Sequence, residues 1–139
     1  MLLEPSTVLP AGEVVVQRAH IDLDPLPRVV AVARSFVSGQ CPELTAERRD
    51  VLLLLTSEVV TNAVIHARTL IGLGVTLTDR SVLVTVHDGD LGRSELPGPD
   101  RHGGRGLALV ALLADATRTE RHPGDGKTVW FRLSLIPHP

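Results

Sequence analysis

Hydrophobic and polar positions recur with the period of an α-helix in some segments and alternate as in a β-strand in others. Together these patterns predict five short strands and three helices. In chain order we expect strand 13–21, helix 25–38, helix 45–67, strand 70–77, strand 81–88, helix 104–113, strand 116–122 and strand 127–135. Strand-rich hairpins with helices kept apart in sequence predict an α+β fold. The expected form is a two-layer α/β sandwich, with helices on one face of a mixed, mostly antiparallel sheet. Residues 1–12 are interpreted as a flexible leader and 13–139 as one domain.

The helix predicted at 45–67 carries polar side chains beside an apolar stripe. Thr45 can cap its N-terminus. Glu58, Asn62 and His66 follow one another at intervals of four residues, so they lie on one face of the helix. A carboxylate, an amide and an imidazole therefore form a polar row next to residues that belong in the core.

The strand predicted at 81–88 ends in an unusual position. Side chains alternate along a strand, so Asp88 shares a face with Val82, Val84 and Val86. A carboxylate is thus predicted to point toward the same interior as the valines.

The connection 89–104 is long and rich in glycine, and it leads into a helix at Gly104-Arg105-Gly106-Leu107. A helix start preceded by glycines offers unpaired N–H groups and a positive dipole end, which suit a phosphate group. Asn62 supplies an oxygen that a phosphate-bound Mg²⁺ can take as a ligand. Glu58 can orient a hydroxyl and accept its proton, and Asp88 can accept a hydrogen bond from an exocyclic amine of adenine. The set indicates a purine nucleoside triphosphate.

These residues resemble the Bergerat-type ATP-binding fold of gyrases, heat-shock chaperones, sensor histidine kinases and mismatch-repair ATPases. The strongest resemblance is to its small bacterial branch, the anti-sigma-factor serine kinases. The matching stretches, in the family's order and spacing, are SEVVTNAVIHA (57–67), VTVHDGD (84–90), GGRGLALVALLAD (103–115) and GKTVWFRL (126–133). The resemblance implies bound ATP and Mg²⁺, with ATP sandwiched between the sheet and the helices.

The resemblance also implies a role for each matching residue. Glu58 corresponds to the catalytic base, Asn62 to the magnesium ligand and Asp88 to the adenine-binding aspartate. The remaining expected nucleotide contacts are His66, Gly92, Gly104, Arg105, Gly106, Leu107 and Thr128, and residues 93–103 correspond to a lid.

Two positions depart from the family pattern or fit it poorly. Asp90 replaces a glycine that often follows the aspartate, whereas Gly92 is retained. Thr128 corresponds to a threonine near adenine, but strand alternation places it opposite Val129 and Phe131, which are expected to face inward.

The composition excludes several other kinds of site. Cys41 is the only cysteine, and no two histidines have His-x-x-x-His spacing, so neither a disulfide nor a zinc site is predicted. A net charge of −2 and the absence of long apolar runs argue against nucleic-acid or membrane partners. The expected compartment is the reducing cytoplasm.

Two functions remain open at this point. One is a serine kinase, for which the resemblance implies an anti-anti-sigma protein as substrate, a sequestered sigma factor and a homodimer. The other is a non-catalytic ATP-binding or degenerate module that regulates a partner by association, which the Asp90 replacement favours.

Overall fold

The computed structural model describes residues 9–66, 69–89 and 103–136, with no side-chain description at 103–106. The elements are β1 (Val15–Leu23), α1 (Val29–Gln40), α2 (Ala46–His66), β2 (Ile71–Thr78), β3 (Ser81–Asp88), α3 (Gly103–Leu113), β4 (Ala116–Arg121) and β5 (Lys127–Ser134). The α+β prediction is confirmed, and each predicted helix and strand is present.

The strands form one sheet in the order β1-β2-β3-β5-β4, and every pair described is antiparallel. Apolar residues from alternate positions of β2, β3 and β5 pack with the buried residues of the helices into one core. Phe131, Leu52 and Leu55 are among its largest enclosed side chains. Burial of this apolar surface against the helices is the main force that holds the two layers together.

The start of α2 agrees with the capping prediction. The backbone N–H of Arg48 donates to Thr45 Oγ1 at 3.2 Å, and that of Arg49 donates to the Thr45 carbonyl at 2.9 Å. Glu47 lies in the first turn, where a negative charge stabilises the positive end of the helix dipole.

The start of α1 differs from the prediction, which placed Asp24 at the cap and Pro25 at the first helical position. The helix begins at Val29 and no side chain caps it. Residues 25–28 form a bend and a turn instead, and the Leu26 N–H donates to the Asp24 carbonyl at 2.8 Å. The reason is Pro27, whose ring disfavours a helical conformation at Leu26. The helix can therefore start no earlier than this proline.

Strand ends differ from the prediction by at most two residues; β3 agrees at both ends, and β4 and β5 agree at their starts. The first strand is displaced most, to Val15–Leu23, because it pairs with β2 as far as the Leu23–Ile71 pair. Cys41 is buried, and burial raises the pKa of its thiol to about 11. Within the described residues, no helix has the length and apolar character needed to cross a bilayer.

Candidate active site

The polar row of α2 lies against the core, as the helix pattern indicated. Glu58 and His66 are half-buried. Asn62 is only 6% exposed, and its Oδ1 atom has no hydrogen-bond partner. A buried amide oxygen without a partner is costly, so this atom has an unused capacity to bind a donor or a cation.

The C-terminal ends of α2 and β3 meet at one end of the sheet, where the strands begin or finish. Four residues separate His66, where α2 ends, from Ile71, where β2 begins. Ile71 pairs directly with Asp88. The Gly89 N–H also donates to Thr69 Oγ1 at 2.8 Å, which ties the α2–β2 connection to the residue after Asp88. Tertiary structure thus brings the two predicted halves of the site to the same end of the molecule.

Asp88 is 1% exposed and lies on the same face as Val86, toward the helices. Its neighbours in the sheet are Ile71 on one side and Lys127 on the other. A buried carboxylate in this position can discriminate strongly for a hydrogen-bond donor, because leaving it without a partner carries a large desolvation cost.

The third helix is anchored at the opposite end of the sheet. After α3 ends, the Asp115 N–H donates to the Arg132 carbonyl at 2.9 Å, and the Ser134 N–H donates to Asp115 Oδ2 at 2.6 Å. Val110 is fully buried in the core. The glycine-rich N-terminal end of α3 is therefore directed away from this anchor.

Four of the predicted nucleotide contacts lie at the start of α3. The backbone of Gly104, Arg105 and Gly106 lies in the first turn of α3, and Leu107 packs partly buried against the core. Gly92 and most of the predicted lid lie outside the described residues.

Thr128 is on the wrong face of the sheet for the role that sequence gave it. It pairs with His87, and its Oγ1 atom lies 3.0 Å from His87 Nδ1 and 2.9 Å from His122 Nε2. Side chains of adjacent positions in a strand point to opposite faces, so Thr128 is separated from the Asp88 side chain by the sheet. Thr128 therefore faces away from the Asp88 side chain and toward His87 and His122.

Two residues beside Asp88 at this end of the sheet, Gly126 and Lys127, were missed by the sequence analysis. Gly126 has φ of +79°, and a Cβ atom there would lie 1.9 Å from the Asp88 carbonyl oxygen. Lys127 opens β5 opposite Asp88 and is 7% exposed. Strand alternation back from Val129 would have placed Lys127 on the inner face, but its burial could not be read from the sequence.

His87, on the outer face, supplies a pH-dependent property of the fold. Burial, with smaller effects that include the nearby His122, lowers its pKa from the usual 6.5. The native state then binds fewer protons than the unfolded state at mildly acidic pH. The His87 contribution to stability is therefore complete above about pH 6.5 and is lost as the pH falls through the native pKa.

We expect the free energy of unfolding to decline from about pH 7 to about pH 5, and His87→Gln to make this decline shallower. Urea titrations across that range measure it. His20→Gln is the matched control, because His20 is an exposed histidine of the same sheet face. An equally steep decline in the wild-type protein and in His87→Gln would contradict the assignment.

The protein oxygens available here suit a Mg²⁺ ion that is held mainly by the phosphates of a bound nucleotide. Within the described part of the chain, no three His, Cys, Asp or Glu residues are grouped as a metal site. Mg²⁺ in nucleotide sites takes only one or two protein oxygens and completes its shell with phosphates and water. The unpartnered Asn62 Oδ1 fits that requirement.

Comparison with known proteins agrees with this arrangement. The family model of the histidine kinase-like ATPase domain matches residues 20–133, which include α2, Asp88 and the start of α3. The chain belongs to this family. No curated protein sequence matches it significantly.

Solved structures show the same fold. One match is the crystal structure of the RsbU and RsbW domains of Rv1364c from Mycobacterium tuberculosis, with a TM-score of 0.65 and 21% sequence identity. The match covers 85% of this chain and 32% of that one, so this ATPase domain spans about a third of the length of its structural relative. At this identity the likeness establishes the architecture, and function has to be argued from the residues of this chain.

Proposed function

We propose that this histidine kinase-like ATPase domain is an ATP- and Mg²⁺-dependent protein serine kinase. Its proposed substrate is an anti-anti-sigma protein, and the domain is also proposed to sequester a sigma factor. The observation that carries the proposal is the buried, unpartnered Oδ1 of Asn62, one helical turn beyond Glu58. The motif resemblance to anti-sigma-factor serine kinases supports the choice of substrate class.

Each residue has a stated task in this proposal. Asp88 accepts a hydrogen bond from the adenine amine, and the first turn of α3 offers its N–H groups to the phosphates. Asn62 holds Mg²⁺, which supplies charge neutralisation at the phosphates when bound.

Glu58 is the proposed general base. The serine oxygen of the partner forms a bond to the γ-phosphorus, and the bond from that phosphorus to the β–γ bridging oxygen breaks. The serine proton passes to the Glu58 carboxylate, and ADP leaves. A half-buried carboxylate can reach a hydroxyl brought by a partner, whereas a fully enclosed one could not.

The test replaces Asn62 with leucine, which has the same branched shape and no oxygen. We expect ATP affinity in the presence of Mg²⁺ to fall at least about tenfold, while the free energy of unfolding stays unchanged or rises because a buried unpartnered oxygen is removed. Calorimetric titration of ATP with and without Mg²⁺, together with urea unfolding, measures both effects.

The matched control is Thr56→Val. Thr56 is fully buried in the same helix, and its Oγ1 atom also has no partner. This variant should leave Mg²⁺-dependent ATP affinity unchanged. If the wild-type protein bound no ATP at millimolar concentration, the kinase assignment would be wrong. If it bound ATP but transferred no phosphate to any anti-anti-sigma protein, the non-catalytic module would replace it.

A further inference from the structure

Lys127 is a buried lysine whose ammonium has no partner among the described residues. The residue is 7% exposed, and its side chain makes no hydrogen bond or ion pair with another described residue. Its Nζ atom is not one of the polar atoms that are sealed from solvent. Lysine is seldom buried to this extent without a compensating group, because an ammonium loses most of its hydration. The side chain therefore has unused donor capacity beside a space that solvent or a ligand can enter.

The sheet register places Lys127 next to the proposed adenine contact. Lys127 is the first residue of β5 and pairs directly with Asp88, the last residue of β3. Directly paired residues point to the same face, with Cβ atoms about 4.5–5.5 Å apart. Gly126 fixes this arrangement, since its Cα packs against the backbone of Asp88 and Gly89. A carboxylate and an ammonium are thus presented side by side toward the helices.

The two groups have opposite hydrogen-bonding roles. A carboxylate only accepts, and an ammonium only donates. Adenine presents the complementary pair, an exocyclic amine that donates beside a ring nitrogen that accepts. We infer that Lys127 is a base-specificity residue, which donates to the adenine ring nitrogen adjacent to the amine that Asp88 binds. This inference rests on the proposed function, since it assumes that ATP occupies the site.

The same geometry has a consequence for guanine nucleotides. Guanine carries an acceptor where adenine carries its amine. In the adenine orientation it would place this acceptor against the Asp88 carboxylate, which can only accept. GTP should therefore bind the wild-type protein much more weakly than ATP does, and loss of the ammonium should narrow that difference.

The experiment compares ATP with two analogues in which a single ring nitrogen is replaced by C–H, 1-deaza-ATP and 7-deaza-ATP. Calorimetric titrations use the wild-type protein and Lys127→Met, which keeps an apolar stem and removes the charge. We expect Lys127→Met to weaken ATP binding about 10- to 100-fold, as for loss of a hydrogen bond from a charged donor. One deaza analogue should bind the wild-type protein as weakly as ATP binds the variant, and should lose no further affinity on the variant.

Arg121→Met is the matched control, because Arg121 of β4 pairs directly with Lys127 of β5 and is exposed. It should leave the order ATP over GTP and the response to both analogues unchanged. Lys127→Met should also keep or raise the unfolding temperature, since it removes a buried charge from the empty protein. That result would show that weaker ATP binding does not come from damage to the fold.

Three results would overturn the inference. Equal ATP affinity of the wild-type protein and Lys127→Met would remove Lys127 from base recognition while leaving ATP binding intact. An equal loss on Lys127→Met for ATP and for both analogues would assign the ammonium to the phosphates. Absence of ATP binding by the wild-type protein would overturn both this inference and the proposed function.

Discussion

Replacing Glu58 with glutamine should reduce phosphate transfer to a partner serine by about 10²- to 10⁴-fold, the range expected for loss of a general base. The amide keeps the size of the side chain but cannot accept the serine proton. Glu58 does not need to contact the nucleotide in the ground state, so ATP affinity should stay within about a factor of three of the wild-type value. A large loss of phosphate transfer with little change in ATP affinity would distinguish a catalytic base from a residue that only shapes the pocket.

The measurement uses labelled ATP, Mg²⁺ and a panel of purified anti-anti-sigma proteins from the same organism. Glu47→Gln is the matched control, because Glu47 is an exposed carboxylate in the first turn of the same helix. It should transfer phosphate at the wild-type rate. Equal transfer by Glu58→Gln and the wild-type protein would remove Glu58 from the mechanism, and the proton would then need another acceptor.

Replacing Gly126 with alanine should destabilise the protein by at least about 2 kcal/mol and abolish high-affinity ATP binding. Two separate effects add. The φ of +79° is unfavourable for a residue with a side chain, and the new Cβ would lie 1.9 Å from the Asp88 carbonyl oxygen. The strands must move apart at this point to relieve the overlap, and that movement displaces Asp88 and Lys127 together.

Gly124→Ala separates these two effects. Gly124 has a similar φ of +75° in the same turn, but no atom lies within 4 Å of the Cβ position. Gly124→Ala should therefore lower the free energy of unfolding by only about 1 kcal/mol, the cost of the positive φ, and leave ATP affinity unchanged. Urea unfolding and ATP titration of both variants test this. Equal destabilisation by the two substitutions would show that the approach of Gly126 to Asp88 has no energetic consequence.

Most of the architecture could be predicted from local sequence patterns. The period of alternation in β3 gave its residues Ser81–Asp88 without error, and the apolar stripe and Thr45 cap located α2. The start of α1 was wrong because two local signals competed. A capping aspartate followed by proline favours a helix, but a second proline two residues later disfavours the helical conformation of the residue between them.

The candidate site, like the fold, could be predicted from the sequence only in part. The spacing of Glu58 and Asn62, and the inward parity of Asp88, follow from helical and strand geometry and needed only the sequence. The sequence could not show that Asn62 Oδ1 would be enclosed without a partner, because burial is the sum of contacts from elements far apart in the chain. Thr128 was assigned by position in a motif, although the alternation of the strand already opposed it.

The sequence by itself determined the order of helices and strands, the polar face of α2 and the family to which the motifs point, because these depend on short-range periodicity. Tertiary structure alone decided which groups lie side by side. Sheet register set Lys127 beside Asp88 and placed Thr128 with two histidines on the opposite face. Pairing between strands that are about 40 residues apart in the chain fixes such neighbours, and no local pattern encodes that register uniquely.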